Sequence, residues 1–304
     1  MKYNVSVLIP VHKNNDLIFE SIDSILNQSY KDFEIIVLID GTNNDLFEKI
    51  NIIYKEKINL NIIKILHIKK VIGLTKILNL GIKFSTSNYI ARNDYDDIST
   101  NTRIADQINV FKENNKLKMV YSYFSYIDQS RKIIRIKKPN YLGNKLKNKL
   151  MFKNPIAHSS VIFNRKFVLN LGGYNEKYKY SQDFELWSKI INNNVSNVGL
   201  VKKCLVKIRI HNKSISSNNS IDQRKNSITI CMNNKFPKKN LDIRNINNHS
   251  IKEHSYYKAL VTAYLYEYKY IKKIDFCFIK YLFQIYLHHP SLLLYKIQNI
   301  IKKN

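Results

Sequence analysis

Three carboxylates crowd into four positions in Asn93-Asp94-Tyr95-Asp96-Asp97. Like charges this close repel one another, and the arrangement is costly unless a cation or hydrogen-bond donors neutralise it. Hard divalent ions prefer carboxylate oxygens and can bridge them to substrate phosphates, so metal-assisted phosphate chemistry is one reading. The other is a solvated turn or helix N-terminus, where Asp is common in any case. An EF-hand is excluded, because its sixth position would be Ser99 instead of Gly and its twelfth Ala105 instead of Glu. Three further residues stand apart from the cluster. Asp40 precedes Gly41 and on its own suits a turn. Asp183 precedes an apolar helical pattern and on its own suits an N-cap. His211 is a lone histidine, a type found more often in packing than in catalysis.

Alternating strands and helices must position these groups. Residues 4–11 (NVSVLIPV), 34–39 (EIIVLI), 62–67 (IIKILH) and 89–93 (YIARN) are short, β-branched and apolar, as buried strands are. Between them, Ile18, Ile22, Ile25 and Leu26, and then Leu74, Ile77, Leu78 and Ile82, recur at helical spacing, with Asn14 or Asn15 as the first N-cap. The pattern predicts a mostly parallel, Rossmann-like α/β sheet covered on both faces. Ligands of such sheets sit beyond the carboxyl ends of the strands, where Asp40 and the acidic cluster both fall. A helix is predicted over 99–114, strands over 118–127 and 159–164, and a helix around Phe184, Trp187 and Ile191. An Asn/Ser/Lys-rich linker over 212–227 then leads into Tyr- and Lys-rich helical segments.

Net charge narrows the partners less than its size suggests. The formal value is +27, yet Lys, Ile and Asn are abundant everywhere, as an A/T-rich genome would give. A solvated basic surface, suited to anionic lipid or a phosphorylated substrate, is favoured, and no nucleic-acid partner is expected. Cys204, Cys231 and Cys277 are widely spaced and form no CxxC pair, which suits a reducing compartment. No signal peptide is recognisable, and no apolar run approaches the ~18 residues that span a bilayer. The seven glycines make neither GxGxxG nor a Walker loop, and HExxH is absent.

The segment YIARNDYDDIS resembles the DXD region of glycosyltransferase family 2, which has the glycosyltransferase-A fold. VSVLIPVHKN, SILNQSYKDFEIIVLIDGTNND, NPIAHSSVIFNRKF, LGGYNE, QDFELW and RIHNKSIS follow the family's order across residues 4–217. The resemblance implies a catalytic domain over 1–217, divided into a nucleotide-binding half (1–98) and an acceptor-binding half (99–217), with a helical C-terminal extension over 218–304. It implies that Pro10, His12, Asp40, Arg92, Asp94 and Tyr95 bind the nucleotide-sugar, with Asp40 taking a hydrogen bond from the base. Asp96, Asp94 and His211 would hold Mn2+ or Mg2+ against the diphosphate, which Arg209 and Ser214 would also contact. Asp183 would be the catalytic base of an inverting single displacement, although Gln182 stands where relatives usually carry Glu. His158, Gly173 and Tyr174 would form the acceptor side, and Trp187 is read as core.

The expected enzyme is therefore a metal-dependent hexosyl- or N-acetylhexosaminyl-transferase. It would use a nucleotide-sugar donor, a UDP-sugar by resemblance, and a saccharide or lipid-linked acceptor in capsule or lipopolysaccharide synthesis. The Lys-flanked apolar stretch 276–301 suits an interfacial helix on an anionic membrane surface, placing the protein in the cytoplasm, peripheral on the inner face of the membrane. The same stretch leaves packing on the catalytic domain, or a homodimer, open. Two rival readings explain less of the sequence. A haloacid-dehalogenase-like phosphatase needs a nucleophilic Asp two residues before Asp40, and Leu38 stands there. A non-catalytic basic adaptor on membrane or nucleic acid explains the charge but not the ordered acidic motifs.

Overall fold

The computed structural model describes residues 3–210, except 13 and 43, together with 220–235. Two compact units divide the chain, Met1–Asn218 and Asn219–Asn304. In the first, the elements run β1 (Val5–Val11), α1 (Leu17–Leu26), β2 (Phe33–Asp40), α2 (Asn44–Ile53), α3 (Lys55–Asn59), β3 (Ile63–Ile68), α4 (Leu74–Phe84) and β4 (Tyr89–Arg92). They continue with β5 (Ile98–Ser99), α5 (Arg103–Glu113), β6 (Met119–Ile127), β7 (Ile133–Lys137), α6 (Gly143–Leu150), β8 (Val161–Asn164), α7 (Arg165–Asn170), α8 (Gln182–Asn193) and β9 (Val198–Arg209). In the second unit a helix spans Ser220–Lys235. It therefore begins inside the segment expected to be a linker, 212–227.

Among the described residues the strands form one sheet in the order β3-β2-β1-β4-β8-β6-β9-β5, with β7 added to β6. β1 through β4 are mutually parallel. Every residue of β1 and β2 is buried, which is why these runs carry no polar alternation. The apolar faces of α1 (Ile18, Ile22, Ile25) and α5 (Ile104, Ile108, Phe111) close one core against Val5, Val7, Ile9, Ile35 and Val37. α4 packs Gly81 against Leu38, so tightly that an added Cβ would lie 2.8 Å from its side chain.

Some local expectations are corrected. The helix expected over 99–114 begins only at Arg103, because Ile98 and Ser99 pair antiparallel with Lys207 and Val206. The N-cap of α1 is Asp16, while the Asn15 carboxamide accepts the Leu17 N–H from just outside the helix. Pro10 lies in a central strand, a position its missing N–H would ordinarily forbid. The local geometry removes the conflict. Leu8 faces β4, accepting the Asn93 N–H through its carbonyl, and Pro10 is the next residue on that side. There β4 has already turned away, so no donor is needed.

Candidate active site

The carboxyl ends of β1, β2 and β4 lie along one edge of the sheet. Asp40, at the end of β2, is buried, and its two oxygens accept backbone N–H groups from Ile72 (2.7 Å) and Gly73 (2.8 Å). Its carboxylate thereby fixes the loop before α4, and Gly73 holds a positive φ of 93° that lets that loop turn in. β1 separates β2 from β4, so Asp40 and the acidic loop stand about two strand spacings, roughly 10 Å, apart. His12 is exposed just past β1.

The acidic loop hangs from a buried polar scaffold. Asn93 donates to Ser21 Oγ and to the carbonyls of Asp94 and Asp97, while its own Oδ1 accepts from Arg103 and Ser99. Arg103, fully buried, also donates to the Arg92 carbonyl at 2.7 Å. Burial, set against attraction to Asp97, pulls its pKa down to about 9. Gln107, one turn on, donates to the carbonyls of Val120 and Ser160. These residues escaped the sequence reading. The available signal was two polar side chains, four apart, on the otherwise apolar face of α5.

Each aspartate of the loop has a different environment. Asp94 is 38% exposed, with Arg92 on one oxygen and Ser159 Oγ on the other. Burial pushes its pKa up, but Arg92 and the Ser159 hydroxyl outweigh that and hold it below the usual carboxylate range. Asp96 is half-buried, and its carbonyl accepts from Arg209 Nε. Asp97 is buried against the Arg209 backbone N–H, and burial with the charges of Asp94 and Asp96 raises its pKa well above normal. Tyr95 packs against the core, and burial next to Asp96 and Asp94 lifts its phenol to about 12.

On the other side stands α8, entered through Ser181 in a left-handed conformation (φ 59°). That turn places Asp183 in the first helical turn, where backbone N–H groups favour an anion. Burial nevertheless dominates, and with the nearby negative charge of Asp94 it pushes the Asp183 pKa up to about 6. Glu185, the neighbouring carboxylate, is occupied by Lys189 at 3.1 Å. One short segment joins the two acidic sites. Asn154 Nδ2 donates to Asp183 Oδ2 at 2.9 Å, and Ser159 Oγ donates to Asp94 Oδ2 and accepts from its N–H, each at 3.0 Å. Between them His158 Nε2 meets Tyr174 Oη at 2.7 Å, edge-on to the fully buried Trp187. Burial and Arg92 lower the His158 pKa to about 3, so the ring is neutral.

Two arginines expected to contact the donor are engaged within the fold. Arg92 is fully buried, and its guanidinium donates to the carbonyls of Leu8 and Asn93 and to Asp94, bracing the acidic loop. Arg209 is likewise buried, donating to the carbonyls of Asp96, Asp128 and Gln129 and to Glu20. His211 and Ser214 lie outside the described residues. Among the described residues no group of three or more His, Cys, Asp or Glu side chains is arranged to hold a metal.

Gly173 earns its place sterically. It has φ +69°, and an added Cβ would stand 2.7 Å from Asn79 Oδ1, the same carboxamide that clamps the backbone of Tyr174 through both its N–H and its carbonyl. Gly173→Ala is therefore expected to destabilise the protein by about 1–3 kcal/mol, read by urea denaturation. An unchanged midpoint would show that Asn79 can yield.

The sequence model of Glycosyl transferase family 2 matches residues 6–172, more than half of the chain. The chain belongs to this family. Family 2 membership also accounts for the relatives. The chain is 35% identical over 215 residues to the O-antigen biosynthesis glycosyltransferase WbnJ of Escherichia coli, covering 69% of this chain and 81% of WbnJ. It is 32% identical over 225 residues to an uncharacterised glycosyltransferase of Rickettsia felis, where the match spans 71% of this chain but 36% of that longer protein. Two solved structures share the glycosyltransferase-A fold at 14% identity. Staphylococcus aureus TarS 1–349 in complex with UDP-GlcNAc gives a TM-score of 0.62 over 82% of this chain and 70% of that one. The mannosyltransferase PcManGT of Pyrobaculum calidifontis, in complex with GDP-Man and Mn2+, gives 0.60 over 99% and 87%. Asp183 lies beyond the segment that the family model matches.

Proposed function

We propose that this glycosyltransferase moves a sugar from a nucleoside-diphosphate donor, a UDP-sugar, to a hydroxyl of a saccharide or lipid-linked acceptor, with inversion, in O-antigen or related surface-polysaccharide synthesis. The observation that carries the reading is the segment 154–159, which ties Asp183 and Asp94 into one site through Asn154 and Ser159. A group that must take a proton needs a pKa near the working pH, and burial gives Asp183 about 6. A group that must stay anionic beside a cation needs the opposite, and Arg92 and Ser159 supply it to Asp94.

In this reading Asp183 accepts the acceptor's hydroxyl proton as that oxygen attacks the anomeric carbon. Asp40 supports the loop over the base, and Tyr95, Pro10 and His12 line the approach to it. Neutral His158, held by Tyr174, stands on the acceptor side as a hydrogen-bonding group. The acidic loop fits a divalent cation, because hard ions are often held by one or two carboxylates plus substrate phosphates instead of an all-protein cage. Asp96 and Asp94 would hold it, with His211 and Ser214 as further contacts. When bound it would neutralise charge on the departing nucleoside diphosphate. The printed names of the relatives support the setting: WbnJ acts in O-antigen biosynthesis, and TarS and PcManGT were solved with nucleotide-sugars, the latter with Mn2+. We place the protein at the inner face of the cell membrane. Among the described residues no helix is long and apolar enough to cross a bilayer, and the stretch 276–301 lies outside them.

Thermal melting tests the proposal. With Mn2+ present, saturating UDP or a UDP-sugar should raise the melting temperature by about 5–10 °C, the shift given by ligand near 100 Kd, and EDTA should remove it. A flat response to every nucleoside diphosphate, GDP included, would sink the reading.

A further inference from the structure

We infer that β7 and its flanks form a membrane-docking edge that faces an anionic bilayer, within the catalytic unit itself. Residues 131–138 read RKIIRIKK, five cations and three isoleucines with no acid. Ile133, Ile134 and Ile136 are 51%, 54% and 50% exposed. Among the described residues β7 pairs with β6 alone, so its other edge is unpaired. Lys on an edge strand can be explained as a guard against edge-to-edge pairing, but that purpose is poorly served by three exposed isoleucines. Apolar side chains interleaved with cations are the chemistry that an anionic lipid surface accepts, the first entering the headgroup boundary and the second meeting its charge.

Position supports the same occupant. β4 and β6 both run antiparallel to β8, so they point the same way and end at the same edge of the sheet. The acidic loop leaves one at Arg92, and the β6–β7 hairpin leaves the other, two strands across and further along, after Ile127. Arg209 joins them, donating to the Asp96 carbonyl on the loop and to the Asp128 and Gln129 carbonyls at the hairpin turn. Glu20 receives Arg209 and also pairs with Arg131. A bilayer that meets β7 therefore lies beside the site's open edge, where a lipid-linked hydroxyl would be presented. That last point rests on the proposed acceptor; the docking itself does not.

Sedimentation of the full chain with vesicles tests docking without requiring transfer. Vesicles of phosphatidylcholine with about one third phosphatidylglycerol should carry down the wild type, and pure phosphatidylcholine should not. The triple variant Ile133→Ser/Ile134→Ser/Ile136→Ser and the separate pair Arg135→Glu/Lys137→Glu should each lower the bound fraction about tenfold, with unaltered circular-dichroism melting showing that both still fold. Wild-type binding to neutral vesicles at equal strength would overturn the inference. So would variants that bind as the wild type does. Light scattering that shows a dimer lost in the triple variant, with vesicle binding retained, would assign the edge to a second copy of the chain instead.

Discussion

Asp183→Asn is expected to lower the rate of sugar transfer about 10²–10⁴-fold, the usual contribution of a positioned general base, while leaving the nucleotide-induced melting shift in place. The argument is local. Asp183 lies in the first turn of α8 and accepts from Asn154, whereas Asp94 is held by Ser159 at the other end of the 154–159 segment. An Asn can still accept the Asn154 N–H through its own Oδ1, so geometry survives and proton capture is lost. The pH profile makes the test sharper. With a pKa near 6, the wild type should lose kcat/KM as pH falls below about 6, and the variant's residual rate should lack that limb.

Stability carries an independent signature with its own sign. The ordinary Asp value is 3.8, and in the folded state Asp183 rises to about 6. The folded form thus holds the proton more tightly than the unfolded one between those values, and its stability falls as pH rises through that window. Asp183→Asn should flatten this slope and melt no lower than wild type at neutral pH. A variant that transfers sugar at the wild-type rate would move the base elsewhere, with Glu185 next to be tried.

The second large effect is expected at Asp96. Asp96→Ala should abolish the metal-dependent part of nucleotide binding, so that EDTA no longer changes the melting shift, and cut transfer by about 10²–10³-fold, as loss of several kcal/mol of charge stabilisation would. Its neighbours cannot substitute readily. Asp97 is buried and engaged by the Arg209 N–H, and Asp94 is shared between Arg92 and Ser159. Removing one negative charge should also let the Asp97 pKa relax downward, because Asp96 is one of the charges raising it. Calorimetric titration of Mn2+ in the presence of UDP measures the effect directly. Wild-type affinity in the variant would mean that the cation is held elsewhere.

The strands and their carboxyl edge were legible in the sequence because buried parallel strands are nearly continuous apolar runs, a pattern that β1 and β2 carry with few polar interruptions. Short pairings were not legible. β5 is two residues long and exists only because β9 returns alongside it, a long-range fact that no local periodicity encodes. Within the site, residue types pointed to the carboxylates as a cluster but could not tell outward cations from inward ones. Arg92 and Arg209 look alike as phosphate ligands on paper, yet both guanidiniums face carbonyls within the fold. Asn154 and Ser159 were missed because uncharged hydrogen-bonding residues are common in loops, and their meaning depends on which acid each one faces.

The bridge from Asn154 to Ser159 has a consequence for anyone recombining such enzymes. Exchanging the first hundred residues alone would part the acidic loop from its support, since the hydroxyl that steadies Asp94 is supplied from well downstream. A hybrid must import residues 154–159 together with the acidic loop, or the imported loop will meet a stranger's hydroxyl at the wrong height. Inserting one amino acid between those two anchors would break the register by which one segment meets both aspartates.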